Sequence, residues 1–276
     1  MDTRKRVLII DLSYYNFYRY YATIQWYKSA HSDDTFEVGY DWVENIVFME
    51  KYTKMFFSNI KKYKKKFKIT HTIIAKDCPR SEIWRVALYP AYKGTRGDTY
   101  KKTQFMGGKV FKYCYANMLP ILLKEPSTRL MHLPTLEADD IIYLTTTEIV
   151  REHPDSTIHI ISSDHDLLQI IDGRPNIKLW KANIKCYNDK SLGSADLDCF
   201  AKAMTGDTSD NIPKVCPRMG HKTMMKLYNS PELLHETFEK NSGSREQYTL
   251  NRTLIDFKYI PATLVQALAA KYPLYL

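Results

Sequence analysis

Apolar and polar positions along the chain follow two different periods. Short runs with little polar interruption, RVLII (6–10), HTIIAK (71–76), TRLMHL (128–133), TIHIIS (157–162) and NIKLWK (176–181), have the length and β-branched content of buried strands. Between them apolar residues recur every three or four positions. A long helix is predicted after the first strand, through Val38, Trp42, Ile46, Met49, Tyr52, Phe56, Ile60, Tyr63 and Phe67. Further helices are predicted over 110–123 and 136–150, with a short one at DLLQII. Strands alternating with helices predict an α/β fold, with a mostly parallel central sheet flanked by helices and functional groups at the carboxyl ends of the strands. From about residue 194 the pattern turns helical, in SADLDCFAKAM, GDTSDNIPKVCPRMGHKTMMKLY, REQYTLNRTLIDF and TLVQALAAKY. This break divides the chain into an α/β core, 1–193, and a helical part, 194–276.

Nine carboxylates sit where strands end or helices begin: Asp11, Asp77, Glu137, Asp139, Asp140, Asp164, Asp166, Asp207 and Asp210. Two carboxylates about 4 Å apart repel by roughly 4 kcal/mol at an effective dielectric near 20, so such a nest is costly unless cations occupy it. The grouping therefore predicts a metal site. Setting these nine aside leaves 22 acids against 40 Lys and Arg, a surplus of about 18 positive charges on the rest of the chain. A basic body around an acidic pocket suits a polyanion held by its phosphates. Nucleic acid fits better than a membrane, because no apolar run of about 18 residues and no signal-peptide pattern occurs. A soluble, cytoplasmic chain is expected.

The five cysteines are widely spaced with no CxxC pair, and the eight histidines show no zinc-ligand spacing. Oxygen ligands favour Mg²⁺ or Mn²⁺ over Zn²⁺. Each acidic cluster alone has an ordinary explanation. Acids in the first turn of a helix complement its dipole, and a turn-forming Asp commonly ends a strand. Asp164 and Asp166 are more pointed, since residues i and i+2 of an extended segment project to one side. It is the joint order and spacing of all five clusters that outweighs the separate explanations.

The series IIDLS, AKD, LEADDII, IISSDHD and MTGDTSDNIP resembles the flap endonuclease/5′–3′ exonuclease family, most closely the ribonuclease H branch encoded by T-even-type bacteriophages. The patterns SEIWRVALYPAYKGTR, NIKLW, GSADLDC and NRTLIDFKYIP extend the similarity over nearly the whole chain. The resemblance implies a PIN-like nuclease core and a phosphodiesterase using two Mg²⁺ ions, with Mn²⁺ as a substitute. By that analogy Asp11, Asp77, Glu137, Asp139 and Asp140 line one metal site, and Asp164, Asp166, Asp207 and Asp210 the other. It also implies a basic helical arch over about 84–112, with Arg85 and Lys93 reaching the scissile phosphate and Tyr92 and Arg96 facing the site. Within that segment Tyr89, Tyr92, Tyr100 and Phe105 interleave with Lys93, Arg96, Lys101, Lys102 and Lys109, a pattern suited to base stacking and phosphate contact. The run KKYKKKFK (61–68) is read instead as a solvated helix face.

Residues 207–228 resemble the family's helix–hairpin–helix, which grips duplex phosphates with a bound K⁺. Lys214 and Arg218 stand where the family commonly has Gly, which weighs against the K⁺ site, while Lys214, Arg218, Lys222 and Thr223 are positioned for side-chain contacts to DNA. The expected activity is hydrolysis at 5′ flaps, nicks or RNA primers in DNA or RNA–DNA hybrids, leaving 5′-phosphates, in DNA replication or repair. The expected protein is a monomer recruited by a sliding clamp or single-strand-binding protein, in the host cytoplasm if phage-encoded. Two rivals are a PIN-like single-strand ribonuclease and a catalytically silent DNA-binding protein. The length and the GDTSDNIP segment argue against the first, and the complete set of acids argues against the second.

Overall fold

A computed structural model describes residues 4–273. The chain runs β1 (Arg6–Asp11), α1 (Leu12–Ala30), α2 (Ile46–Phe67), β2 (His71–Ala75), α3 (Trp84–Leu88), α4 (Arg96–Lys102), α5 (Gly107–Tyr113), α6 (Leu119–Leu122) and β3 (Thr128–Met131). It continues through α7 (Ala138–Glu152), β4 (Thr157–Ile161), β5 (Ile177–Trp180), α8 (Ala195–Thr205), α9 (His221–Tyr228), α10 (Pro231–Lys240), α11 (Ser244–Ile255) and α12 (Ala262–Lys271). The five strands form one parallel sheet in the order β3-β2-β1-β4-β5. Chain order reverses direction between β1 and β4, and such a switch point opens a crevice beyond the carboxyl ends of the strands.

Val7, Leu8, Ile9 and Ile10 of the central strand are wholly buried. Their alternate side chains feed two cores. Val7 and Ile9 pack with α7, β4 and α12, whereas Leu8 and Ile10 pack with α1, α2 and α5. Each such side chain contributes about 1.5–3 kcal/mol on burial, so β1 is the clamp between the layers. A third cluster, around Phe200, Met224 and Phe238, holds α8, α9 and α10 together. A fourth joins Cys78, Ile83 and Tyr92 to Cys199, Ala203 and Ile255, fastening α8 and α11 over the top of the sheet. Phe257, Ile260 and Leu268 return to the core of the sheet's α7 face.

The structure departs from the sequence reading in several places. The long helix begins at Ile46, capped by Asn45, whose Oδ1 accepts the Phe48 N–H at 2.8 Å. Val38 lies outside it, in a loop and exposed. The helix directly after Asp11 was not expected, because its buried face carries Asn16, Arg19 and Thr23 while Tyr21 is exposed, which erases the apolar stripe. Residues 206–220 are irregular rather than helical, and α10 went unread. The Lys run on α2 is solvent-facing as expected, with Lys64 paired to Glu125. Among the described residues no helix is long and apolar enough to cross a membrane.

Gly206 ends α8 with φ +70°, and a Cβ there would stand 2.4 Å from the Ile212 carbonyl oxygen. Gly206→Ala is therefore expected to cost about 2–3 kcal/mol, measured as a lowered thermal midpoint with the transition still cooperative.

Candidate active site

The local structure that places each acid follows from where its element stops. Asp11 closes β1 and caps α1: Oδ1 accepts the Tyr14 N–H at 3.0 Å, and Oδ2 accepts the Ser162 hydroxyl at 3.0 Å. Asp77, just past β2, accepts the Ala138 N–H at 2.7 Å and so caps α7 from the neighbouring strand. Beyond β4, Asp164 accepts the Asp166 N–H at 2.9 Å. Asp207 accepts the backbone N–H of Ser209 at 2.7 Å, which bends the 207–210 turn back toward the sheet. Eight of the nine acids line the crevice at the strand ends, Asp140 being the exception.

Two adjoining chambers open there. One, of about 580 Å³, is lined by Asp164, Asp166, Asp207, Asp210 and Lys202; the other, of about 420 Å³, by Asp77, Glu137, Asp139 and Lys93. Asp11, Tyr14, Arg96, Asp164 and Ser209 border both. Oxygens of Glu137, Asp139 and Asp140 lie within 4.8 Å of one another, and so do oxygens of Asp139, Asp164 and Asp166. Asp139 belongs to both groups.

Cations from the same chain neutralise part of this charge. Arg85 is buried and donates to Asp140 through both terminal nitrogens (2.9 and 2.7 Å), to Glu137 (3.0 Å) and, through Nε, to the Leu254 carbonyl (2.7 Å). Lys93 pairs with Glu137 and lies 3.7 Å from Asp210. Arg96 reaches Asp210 at 2.8 Å, and Lys202 bridges Asp166 (2.5 Å) and Asp207 (2.9 Å). Asp207 is consequently held below the ordinary carboxylate range despite its burial, chiefly by Lys202.

The compensation is uneven. Asp140 also accepts the Trp84 indole N–H (3.1 Å) and the Glu137 N–H (3.1 Å), so both of its oxygens are occupied and it lines neither chamber. Although its oxygens stand close enough to those of Glu137 and Asp139 to share an ion, saturation by four donors assigns Asp140 to holding Arg85. Asp139, the residue before it, makes no ion pair with a Lys or Arg among the described residues. Burial, then Glu137 and Asp140, push its carboxyl well above the ordinary range. Burial also raises Asp11 to about 7, with Asp77 adding to it, and Asp166 to about 7, against the opposing pull of Lys202. Buried, mutually repelling oxygens whose proton affinity stays raised, even beside Lys202 in the case of Asp166, are a fit for hard divalent ions.

Several expected residues occupy other roles. Arg85 and Tyr92 line neither chamber. Tyr92 is buried, donating its hydroxyl to Glu137 (3.0 Å) and Asp210 (3.1 Å), so its ring offers no face to a base. The segment 84–112 is helical at α3, at α4 and from α5 onward, with irregular stretches between; Lys101 and Lys102 project from it, exposed. Lys214, Arg218, Lys222 and Thr223 are exposed on the 206–220 loop and the start of α9. Arg218 takes φ +56°, the left-handed conformation a glycine would adopt there. Sequence reasoning missed Trp84, Ser162 and Lys202, whose only signal was a lysine inside the FAKAM run.

Residues 6–196 match the family model described as 5′-3′ exonuclease, N-terminal resolvase-like domain. The chain belongs to this 5′–3′ exonuclease family. It is 28% identical over 230 residues to ribonuclease H of Enterobacteria phage T4, covering 79% of this chain and 74% of that protein. It is 26% identical over 264 residues to DNA polymerase I of Lactococcus lactis subsp. cremoris, covering 89% of this chain but 27% of the polymerase. Among solved structures it is similar to T5 5′-exonuclease bound to zinc (TM-score 0.69, 16% identity, 97% of this chain and 98% of that one). It is likewise similar to bacteriophage T5 D15 flap endonuclease in complex with DNA and metal ions (TM-score 0.67, 16% identity, 97% of each chain). At that identity the structural likeness shows the shared fold. As a member of the family the chain is a nuclease, a hydrolase of phosphodiester bonds, with an acidic cluster able to hold metal.

Two predictions follow from the uneven compensation. Asp140→Asn strands a buried guanidinium and should destabilise the fold by about 3–5 kcal/mol, whereas Asp139→Asn removes an uncompensated acid and should leave metal-free stability unchanged or higher in denaturant unfolding. The second concerns pH. Asp11 and Asp166 titrate in the folded state near 7, above the unfolded range near 4, so the stability of their protonated forms is complete at low pH and is lost as pH rises toward and through 7. Metal-free protein in EDTA should therefore melt at a lower temperature at pH of about 7.5 than at about 5.5, and excess divalent ion should remove the difference.

Proposed function

We propose that the chain is a structure-specific 5′ nuclease that hydrolyses DNA or RNA–DNA hybrid at flaps, nicks and RNA primers in replication or repair, leaving 5′-phosphates. The observation that carries this reading is Asp139, buried and common to both acid groups, with Lys93 and Arg96 of the basic 84–112 segment (the strap) lining the chambers beside it. The relatives named ribonuclease H and DNA polymerase I, and a DNA-bound flap endonuclease of the same fold, support it. A silent DNA-binding protein would have no reason to bury acids with raised proton affinity.

Asp11, Asp77, Glu137 and Asp139 would hold one Mg²⁺, and Asp164, Asp166, Asp207 and Asp210, with Asp139 between, a second; Mn²⁺ suits the same ligands. Ions there would activate water near neutral pH and neutralise charge on the phosphate. The chain's own part is positional and electrostatic. Water attacks phosphorus and gives up its proton, the P–O3′ bond breaks, O3′ takes up a proton and leaves with the 5′-terminal fragment, and the phosphate stays on the 5′ end of the downstream strand. Lys93, oriented by Glu137 and Asp210, presents an ammonium where negative charge develops. Arg85 acts through Asp140 and Glu137 as a positioning residue. Lys202 steadies Asp166 and Asp207. Arg96, Lys101 and Lys102 line the path of a single strand beneath the strap, while Lys214, Arg218, Lys222 and Thr223 grip the duplex by side chains, without need of K⁺. All the acids come from one chain, so a monomer suffices, and a clamp or single-strand-binding protein would recruit it from outside the site.

The test is single-turnover cleavage of matched 5′-flap, 3′-flap, RNA–DNA hybrid and linear single-strand substrates with and without EDTA. Cleavage of 5′ flaps and hybrids that is abolished by EDTA is expected; undiminished cleavage in EDTA refutes the reading. Lys93→Ala should slow the bound-state step by about 10² to 10³ with little change in affinity. Lys214→Ala or Lys222→Ala should instead weaken binding and flatten its salt dependence by about one ion. Asp207→Asn and Asp210→Asn should retain more activity than Asp77→Asn or Asp139→Asn.

A further inference from the structure

The acids that line the crevice fall into two groups that the chain itself treats differently. Of the four assigned above to one ion, Asp11, Asp77 and Asp139 make no ion pair with a Lys or Arg among the described residues, and only Glu137 does. Of the four assigned to the other, three are already paired. Asp210 lies 2.8 Å from Arg96, and Asp166 and Asp207 share the Lys202 ammonium, at 2.5 and 2.9 Å.

Lys202 stands in the last turn of α8, its side chain only 17% exposed, and lines the chamber of about 580 Å³. The two carboxylates that it joins come from different segments, the turn beyond β4 and the turn after α8. Asp166 is buried, and apart from Lys202 its Oδ1 has no donor. A cation is therefore demanded at the point between Asp166 and Asp207, whatever supplies it. An ammonium and a divalent ion do not supply it in the same way. Lysine brings one charge on a flexible four-carbon stem and can withdraw, whereas Mg²⁺ or Mn²⁺ brings two and takes carboxylate oxygens as direct ligands. An ion held by Asp166 and Asp207 would stand against the ammonium, and two cations about 4 Å apart repel as strongly as two anions do. The ammonium must give way.

We propose that Lys202 is the built-in counter-ion of the second metal position: in metal-free protein its ammonium holds Asp166 and Asp207 together, and it is exchanged for an ion that binds there. The two positions then have unequal affinity. An ion beside Asp11, Asp77 and Asp139 displaces no ammonium from those three acids, whereas an ion beside Asp166 and Asp207 must first displace Lys202. The joint between the turn after α8 and the turn beyond β4 is kept in either state, by the ammonium or by its replacement. This rests on the two-ion nuclease reading above, and calorimetry without nucleic acid separates its failure from the failure of that reading.

Lys202→Met keeps the stem and removes the charge. Calorimetric titration of metal-stripped protein with Mn²⁺ at neutral pH should show one tight and one weaker ion in the wild type. In Lys202→Met the weaker ion should bind about ten- to a hundredfold more tightly, the strength of one charge-assisted hydrogen bond that no longer competes, with the tight ion unchanged. Metal-free Lys202→Met should also melt below the wild type, and saturating Mn²⁺ should close the gap. If the variant folds only in Mn²⁺, that dependence is the same exchange and supports it. A variant that stays unfolded or low-melting in Mn²⁺ shows that Lys202 serves docking alone and overturns the proposal. Equal affinities in the wild type, or an unaltered weaker ion in Lys202→Met, overturn it as well. The expected exchange in a protein that cleaves no 5′ flap would uphold the inference and refute the nuclease reading alone.

Discussion

Mutual repulsion among buried carboxylates is the constraint around which this molecule is organised. The acids are drawn from the ends of three strands, the start of α7 and the turn after α8, and every one of those elements would be pushed away from the others if the site held only negative charge. Arg85, Lys93, Arg96 and Lys202 prevent this, and each does so by crossing between elements. Arg85 reaches from α3 to α7 and on to the end of α11; Lys202 reaches from α8 to the turn beyond β4; Lys93 and Arg96 tie the strap to the 207–210 turn. The charges that make the site expensive thereby dock the helical part onto the sheet. Removing one partner of such a pair is costly because it leaves the other buried and unpaired, so the docking is cooperative with the site's own assembly.

How the compensation is shared distinguishes two adjacent residues that sequence treats alike. Asp139 and Asp140 occupy successive positions on α7, about 100° apart around its axis. One faces the sheet's crevice and the other faces Trp84 and Arg85. Asp140 is satisfied by four donors and serves the architecture. Asp139 is left with a proton affinity far above that of a free carboxylate, which a bound cation would reverse. A protein that neutralised every acid itself would leave nothing for a metal to bind.

The sheet and the acids were legible because both leave marks of short range. An uninterrupted apolar run such as RVLII has few conformational options, and an Asp at its end needs no distant information to be placed at the crevice. Helix α1 was hidden because its buried face is polar, with Asn16 accepting the Tyr52 hydroxyl and Thr23 bonded to its own helix, an arrangement that makes sense only once α2 is beside it. The roles of Arg85 and Tyr92 were misplaced for a related reason. Basic and aromatic residues in a loop look like solvent-facing contacts, and only the tertiary placement of Glu137 and Asp210 shows that they point inward. Trp84 left little local mark, since Asp140 lies 56 positions away, and for Lys202 the pair with nearby Asp207 reads as a surface contact until Asp166, 36 positions away, is brought to the same ammonium.

Backbone strain collects at the same junction. Lys93 and Asn211 both take left-handed φ values, +54° and +58°, although neither is glycine, and they sit on the two segments that meet there. The Lys93 N–H donates to the Asp210 carbonyl, and the Asn211 amide donates to the Ala91 carbonyl at 2.8 Å, so each strained residue is held by the segment opposite. Such conformations cost of order 1–3 kcal/mol each and persist only where surrounding contacts over-determine them. Here the over-determination comes from Glu137, Asp210 and the turn after Gly206. An ammonium on an ordinary extended backbone at position 93 would have to find its place from solution each time a phosphate arrived. In the role proposed for Lys93, fixing it beforehand, with the cost already met in folding, would let its charge act on the developing transition state without reorganisation.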